Sequence, residues 1–376
     1  MGRSSRSVWL KAVTDKNSMS RKLLTGQVVE EVSEEWKESV GKDLQQYKQG
    51  VVRILPEGWI YPGVSPFFLD KLQQFQFRTE DVVIMGYPKC GSTWVQETVW
   101  TMMNNPDLTN PHAEEGIWYR SLEISMDMLM DVVNFDELGM EPMIETLGKM
   151  CPGKSKEDGF ALQMLEVLPG PRIMKCHYAF ELMPPDFLDK NKVIYVLRNP
   201  KDTVVSFYHY LRLVRLYDYK GSFEKFVKEF INDQMLFGPY WPHVHQAWTR
   251  RSHPNLHIIF YEDLKADFMT QLHLLDKFLG TNLDTQQMQN VQHITAFTSM
   301  KSKGAPVNDT ACFNQSVSEK EGGFFRKGVA GDWKNTLSPE LNQEMDKWIK
   351  DNIGDIPIKW GDDEKHQKTH GNTNRK

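Results

Sequence analysis

Four groups of residues in this chain have types and spacings that can do chemistry. The first is Gly86-Tyr87-Pro88-Lys89-Cys90-Gly91-Ser92-Thr93, which follows an apolar run and opens a helix-like stretch. Its glycines permit tight backbone geometry, and amides from Cys90 to Trp94 at a helix start can point at an anion. The second is Lys175 and His177, two apart in "PRIMKCHYAF" and so on one face of a strand. An imidazole titrating near pH 6.5 can accept a proton at neutral pH, and a neighbouring lysine favours its neutral form. The third is Arg198 in "YVLRNPKDTVVSFYHY", with Ser206 two helical turns on. A guanidinium at a strand's carboxyl end can grip a phosphate monoester bidentately. The fourth is "RKGVAGDWK", residues 326–334, where Arg326, Lys327 and Gly328 can wrap an anion with charge and backbone amides.

The first loop nearly has the spacing of a nucleotide-binding P-loop, G-x-x-x-x-G-K-[ST], but its lysine is displaced. Ser92 stands where lysine is required, and Lys89 sits three positions earlier, inside the loop. In a true P-loop the lysine reaches the terminal phosphates, the next hydroxyl holds magnesium and a strand-end aspartate completes the metal site. Thr93 and Asp263 of "IIFYED" are available for those roles, so a magnesium-dependent nucleotide kinase stays open at this point. So do plainer readings: a tight strand-to-helix turn at 86–93, a structural histidine at 177, and solvated basic turns at 198 and 326–334.

The elements that must position these residues read as alternating strands and helices. "DVVIMGY" (81–87), "RIMKCHY" (172–178), "KVIYVLR" (192–198) and "LHIIFYE" (256–262) are short apolar or β-branched runs, each followed by a helical pattern or a turn signal. Asn199 is a good N-cap and Pro200 a good first helical residue. Strands separated by helices predict parallel pairing through crossovers, hence an α/β/α three-layer domain with ligands at the strands' carboxyl ends. The candidate residues occupy those ends. Upstream, Val32, Trp36, Val40 and Leu44 recur every four positions, which predicts an amphipathic helix over 28–46 after a polar, disordered leader to about residue 26. Residues 104–170 are hard to read; methionines such as those of "SMDMLMDVV" are expected to be core filler. The polar tail 361–376 is expected to be disordered. The expected units are an N-terminal extension over 1–45, one catalytic domain over 46–360, and that tail.

The bulk numbers exclude some classes. A chain of 376 residues can bury a large core, and its formal charge of −5 gives no reason to expect nucleic acid as a partner. No apolar run of 18 or more residues is present, so no membrane span is expected. Cys90, Cys151, Cys176 and Cys312 show no C-x-x-C pair or metal-ligand spacing, which favours a reducing, cytoplasmic setting. Asp15 and a weak apolar face argue against a mitochondrial presequence, and Arg6 breaks a myristoylation signal.

"YPKCGSTW", "YVLRNPKDTVVSFYHY", "FYEDL" and "RKGVAGDWK", in this order, resemble the cytosolic sulfotransferases over roughly residues 50–360. The resemblance implies a P-loop-like α/β enzyme that moves a sulfuryl group from 3′-phosphoadenosine 5′-phosphosulfate (PAPS) to a hydroxyl or amine, leaving 3′,5′-adenosine bisphosphate. It implies no metal, because Lys89 meets the charge that develops on the leaving phosphate. By motif, Lys89, Cys90, Gly91, Ser92, Thr93 and Trp94 take the 5′-phosphosulfate loop, and Arg198 and Ser206 the 3′-phosphate. Arg326, Lys327 and Gly328 close over that phosphate; Tyr261, Thr295 and Phe297 approach the adenine. His177 falls on the catalytic base, Lys175 beside it stabilises the transferred group, and Ser206 restrains the loop lysine.

Departures from the pattern are Cys90-Gly91-Ser92 in place of Ser-Gly-Thr and Cys176 in place of threonine. The long stretch around 125–165 resembles arthropod-type members, in which an insertion helps enclose the acceptor. Ser338-Pro339 and Gln343 break the usual dimerisation motif, so a monomer or weak homodimer is expected. The acceptor implied is a small apolar phenol, steroid or other alcohol. A non-catalytic nucleotide-binding relative is the remaining alternative.

Overall fold

A computed structural model describes residues 21–44, 50–129, 141–155, 158–304 and 309–358. Among the described residues there are two four-stranded sheets. The first is antiparallel, in the order β1 (Arg21–Lys22), β2 (Val28–Glu31), β3 (Val51–Leu55), β4 (Trp59–Pro62). The second is parallel, in the order β6 (Ile173–Cys176), β5 (Val82–Met85), β7 (Lys192–Leu197), β8 (Leu256–Phe260). All four predicted strands are thus present and parallel, in register with Met85 opposite both Cys176 and Tyr195. Val82, Val83, Ile84 and Met85 are all buried although they alternate between faces, so both faces of the sheet are covered and the domain has three layers.

The helices that position the site are α1 (Ser92–Asn104), α2 (Pro200–Leu213), α3 (Tyr261–Ala266) and α4 (Thr285–Thr295). As the sequence predicts, Asn199 caps α2, its Oδ1 accepting from Lys201 N at 2.9 Å, with Pro200 first in the helix. Each parallel strand ends one residue before a candidate site residue: Met85 before Gly86, Cys176 before His177, Leu197 before Arg198 and Phe260 before Tyr261.

The N-terminal stretch differs from expectation. Val28–Glu31 is not helical; it pairs antiparallel with Val52–Leu55, because a β-branched pair beside an open strand edge gains more from that ladder than from an isolated turn. The helix begins after Ser33, whose hydroxyl accepts from Trp36 N at 3.2 Å. It widens to a π-helix over Lys37–Gly41, matching an apolar spacing of four, longer than the 3.6 of an α-helix. Val32, Trp36, Val40 and Leu44 are all buried, so the apolar stripe was read correctly although its first residue precedes the helix. Residues 21–26, expected within a disordered leader, include β1, which pairs antiparallel with β2. Residues 1–20 and the tail 361–376 lie outside the described residues.

Candidate active site

The loop after β5 is shaped by close approaches. A Cβ at Gly86 would lie 2.6 Å from Val196 O, and one at Gly91 2.6 Å from Tyr261 Cδ2, so neither position admits a side chain. Gly91 turns the chain with φ 102° into α1, where its carbonyl accepts from Trp94 N at 3.0 Å and Val95 N at 3.2 Å and no side chain caps the helix. Between them Lys89 adopts φ 70°, a left-handed conformation that costs a non-glycine residue about 1 kcal/mol or more and is held only where surroundings impose it. Its ammonium lies 4.3 Å from the Tyr210 ring centroid and 4.4 Å from that of Phe324. Among the described residues no carboxylate is in ion-pair range of it. Burial, then the like charges of Lys175, Arg198 and Arg326, push its pKa down to about 7. The pocket holds more positive charge than its own carboxylates offset, which is the condition of an anion site.

Lys175 and His177 come off β6 on the same side. His177 Nδ1 lies 2.7 Å from Gly86 O; a carbonyl only accepts, so Nδ1 carries the proton and Nε2 keeps its lone pair. Facing Nε2, at 3.9 Å, is Glu123 Oε1, while Glu123 Oε2 is 2.7 Å from Lys175 Nζ. Ser125 Oγ donates to Glu123 Oε1 at 2.9 Å and accepts from His177 N at 3.2 Å, locking the group together. Burial, with Glu123 opposing it, pushes His177 down to about 4, so the imidazole is neutral at physiological pH. Burial would raise Glu123, but Lys175 and His177 outweigh it and hold the carboxyl below its usual range. Glu123 was not anticipated: it arrives beside β6 through an isolated bridge to Lys175, from a segment without strand periodicity.

Arg198 donates to Lys89 O and Val329 O, each at 3.1 Å, and lies over the Tyr261 ring at 4.3 Å. Its Nε is buried without a partner. The 326–334 loop is fastened to the start of α2 by Asp202, which accepts from Gly331 N at 2.6 Å and Trp333 N at 3.1 Å. A Cβ at Gly328, φ 65°, would fall 2.2 Å from Phe297 Cδ2, so the glycine lets the loop lie against that ring. Trp94 stacks on Phe268 at 5.5 Å and 12°, and its indole N–H is a second buried donor without a partner.

One pocket is lined by every candidate residue except Cys90 and Thr295. Cys90 turns inward, its Sγ 3.7 Å from Thr203 Oγ1 and its thiol pushed up to about 12 by burial, so only its backbone can serve a ligand. Thr295 is fully buried with its hydroxyl on Val291 O at 2.7 Å inside α4, while Phe297, two residues on, reaches the pocket. Asp263, the aspartate of the kinase alternative, is not on the lining. The lining also includes the apolar side chains of Trp118, Met126, Leu129, Leu213 and Phe237. Phe237 is carried there by the antiparallel sheet, its N–H donating to Ile60 O of β4 at 2.8 Å.

This lining is a strand-end loop with a displaced lysine, a partnerless arginine donor and a neutral histidine. The pattern of the family described as "Sulfotransferase domain" matches residues 79–357, which spans all of them. The chain belongs to the sulfotransferase family. Its relatives include luciferin sulfotransferase of Photinus pyralis, 33% identical over 293 residues that cover 76% of this chain and 75% of that one. Sulfotransferase 1E1 of Homo sapiens is 30% identical over 294 residues, 78% of this chain and 90% of that one. Among solved structures, retinol dehydratase with androsterone and the inactive cofactor PAP superposes with a TM-score of 0.74 at 27% identity, covering 88% of this chain and 97% of that one. The kinase alternative gives way to this membership, and the protein is a sulfotransferase.

Proposed function

We propose that this sulfotransferase moves the sulfuryl group of PAPS to the hydroxyl of a small, mostly apolar acceptor such as a phenol or steroid, with His177 as base and Lys89 as the cation at the departing phosphate. PAPS supplies the group transferred and leaves as 3′,5′-adenosine bisphosphate. The residues fit that donor: Lys89, Arg198, Arg326 and Lys327 supply positive charge, the N-terminus of α1 at Ser92 and Thr93 lines the same pocket, and Arg198 Nε and Trp94 Nε1 are buried donors awaiting acceptors. Lys89, in its imposed backbone conformation, holds an ammonium within the loop where a P-loop would place it after the second glycine. An anion beside it favours the charged amine. His177 Nε2 takes the acceptor's proton, and the imidazolium so formed faces Glu123 Oε1. Lys175, paired with the other oxygen of Glu123, lines the same pocket and adds positive charge for the transferred group. The apolar lining receives the rest of the acceptor.

The observation that carries this reading is the hydrogen bond from His177 Nδ1 to Gly86 O, which leaves a lone pair on Nε2 in the same pocket as Lys89. His177→Ala is expected to lower kcat by about 10²–10⁴ while calorimetric binding of adenosine bisphosphate is retained. Turnover at the wild-type rate would remove His177 from the mechanism. A solved relative bears the name retinol dehydratase, which favours one second outcome: an allylic alcohol is first sulfated, and its sulfate ester then expels sulfate and loses a proton from carbon to give a diene. Mass spectrometry of the product separates ester from dehydrated alcohol. The four cysteines are buried thiols outside any disulfide, in keeping with a cytoplasmic setting.

A further inference from the structure

The two loop cations assigned to the donor's 3′-phosphate are already engaged. Arg326 Nη2 donates to Asp332 Oδ2 at 2.8 Å, and Lys327 Nζ to Asp332 Oδ1 at 2.7 Å, so one carboxylate holds both with its two oxygens. Asp332 is buried and lines the same pocket as Arg198 and Ser206. Burial would raise its carboxyl, but the bonds from Lys327 and Arg326 prevail and keep it ionised. The loop's backbone is fastened by other groups, since Asp202 takes the Gly331 and Trp333 amides and Arg198 holds Val329 O. Thr336 bonds only the backbone carbonyl of residue 332. The Asp332 side chain therefore acts on the two cations, and a carboxylate bridging a basic pair has the charge geometry of a bound phosphate with less charge.

We propose that Asp332 is an internal stand-in for the donor's 3′-phosphate, holding Arg326 and Lys327 in the free enzyme, yielding them to the nucleotide and reclaiming them as the bisphosphate departs. The proposal rests on the reading of the pocket as the PAPS site and adds a consequence for it. A 3′-phosphate, with its second charge, wins the competition, but each binding event must first break the Asp332 pairs. Apparent affinity is reduced by the fraction of enzyme in the paired state, and release is hastened. The effect belongs to the 3′-phosphate alone, because the 5′ side is held by the Lys89 loop.

Asp332→Asn keeps the size of the side chain and removes the competing charge. Calorimetry and stopped-flow release are measured on wild type and variant, with 3′,5′-adenosine bisphosphate and with 5′-AMP, which lacks the 3′-phosphate. The bisphosphate is expected to bind about tenfold tighter to the variant and leave correspondingly more slowly, with 5′-AMP unchanged. Bisphosphate binding that weakens or stays the same makes Asp332 a loop fastener and overturns the proposal. An equal gain for 5′-AMP makes it a general field effect and overturns it too. Failure of the pocket assignment reads differently, as wild type that does not prefer the bisphosphate over 5′-AMP. Should the variant not fold, a structure of the wild-type complex decides. Arg326 and Lys327 must be found on the phosphate with the Asp332 pairs opened; pairs still closed beside a bound 3′-phosphate contradict the proposal.

Discussion

At the scale of single residues the site turns on two groups whose protonation is set against their habit. His177, the proposed base, must be neutral for that role and is, since burial has pushed it down to about 4. Lys89 must be charged, yet in the free enzyme burial and neighbouring cations bring it to about 7. Because kcat/KM for the donor reports the free enzyme, it should rise through an acid limb near pH 4 and fall above about pH 7 as Lys89 loses its proton. The basic limb of kcat should lie higher, because the bound donor's negative charge favours the ammonium. Overlapping basic limbs in the two profiles would count against the role of Lys89. Glu123→Gln removes the charge facing the imidazolium and orphans Lys175; a fall in kcat of about tenfold or more, with donor affinity little changed, is expected from steady-state kinetics. The strand-end residues were legible because short apolar runs announce strand ends and the following residue faces the crevice. Glu123 was not, because its partners Lys175 and His177 lie more than fifty residues downstream, and nothing local in "SLEIS" distinguishes it from a surface glutamate.

At the scale of elements, the parallel strands were readable because they are buried on both faces and need no periodicity to be recognised. The stretch 28–31 was not, since "VVEE" becomes a strand only through its partner β3. Residues 104–170 were the least legible, and the described structure of 124–167 shows why. There a 3₁₀ turn (Ile124–Leu129) is followed by two helices (Glu141–Met150 and Ala161–Val167), and one buried side chain of the turn ties it to the start of the second helix. Asp127 Oδ1 accepts from Phe160 N and Ala161 N, each at 2.7 Å, and Oδ2 from Leu162 N at 3.1 Å. The same turn carries Met126 and Leu129 into the lining of the pocket, where the acceptor is proposed to sit, while Met128 is fully buried core. Asp127→Ala should therefore cost about 3 kcal/mol of stability in denaturant titration, three amides losing a charged acceptor. It should raise KM for the acceptor far more than the dissociation constant of adenosine bisphosphate. An equal loss of both would mean that the segment supports the whole pocket and not its acceptor end.

At the scale of the whole molecule, two sheets divide the work. The parallel sheet gathers the Lys89 loop, His177 and Arg198 at its carboxyl edge; the antiparallel sheet holds Phe237 in the pocket's lining through Ile60. A chain with a net charge of −5 thus concentrates Lys89, Lys175, Arg198, Arg326 and Lys327 around one cavity, which composition could not show. The central claim is that a lysine ammonium inside the strand-end loop, in place of a divalent ion, offsets the charge left as sulfur changes partners. The most direct test follows ³⁵S from PAPS to a phenolic acceptor panel, in excess EDTA, for wild type and Lys89→Met. Transfer by wild type should be indifferent to the chelator, and the variant should lose about 10²–10³ in kcat. Wild-type transfer abolished by EDTA and restored by magnesium, or a variant that turns over normally, would contradict the account.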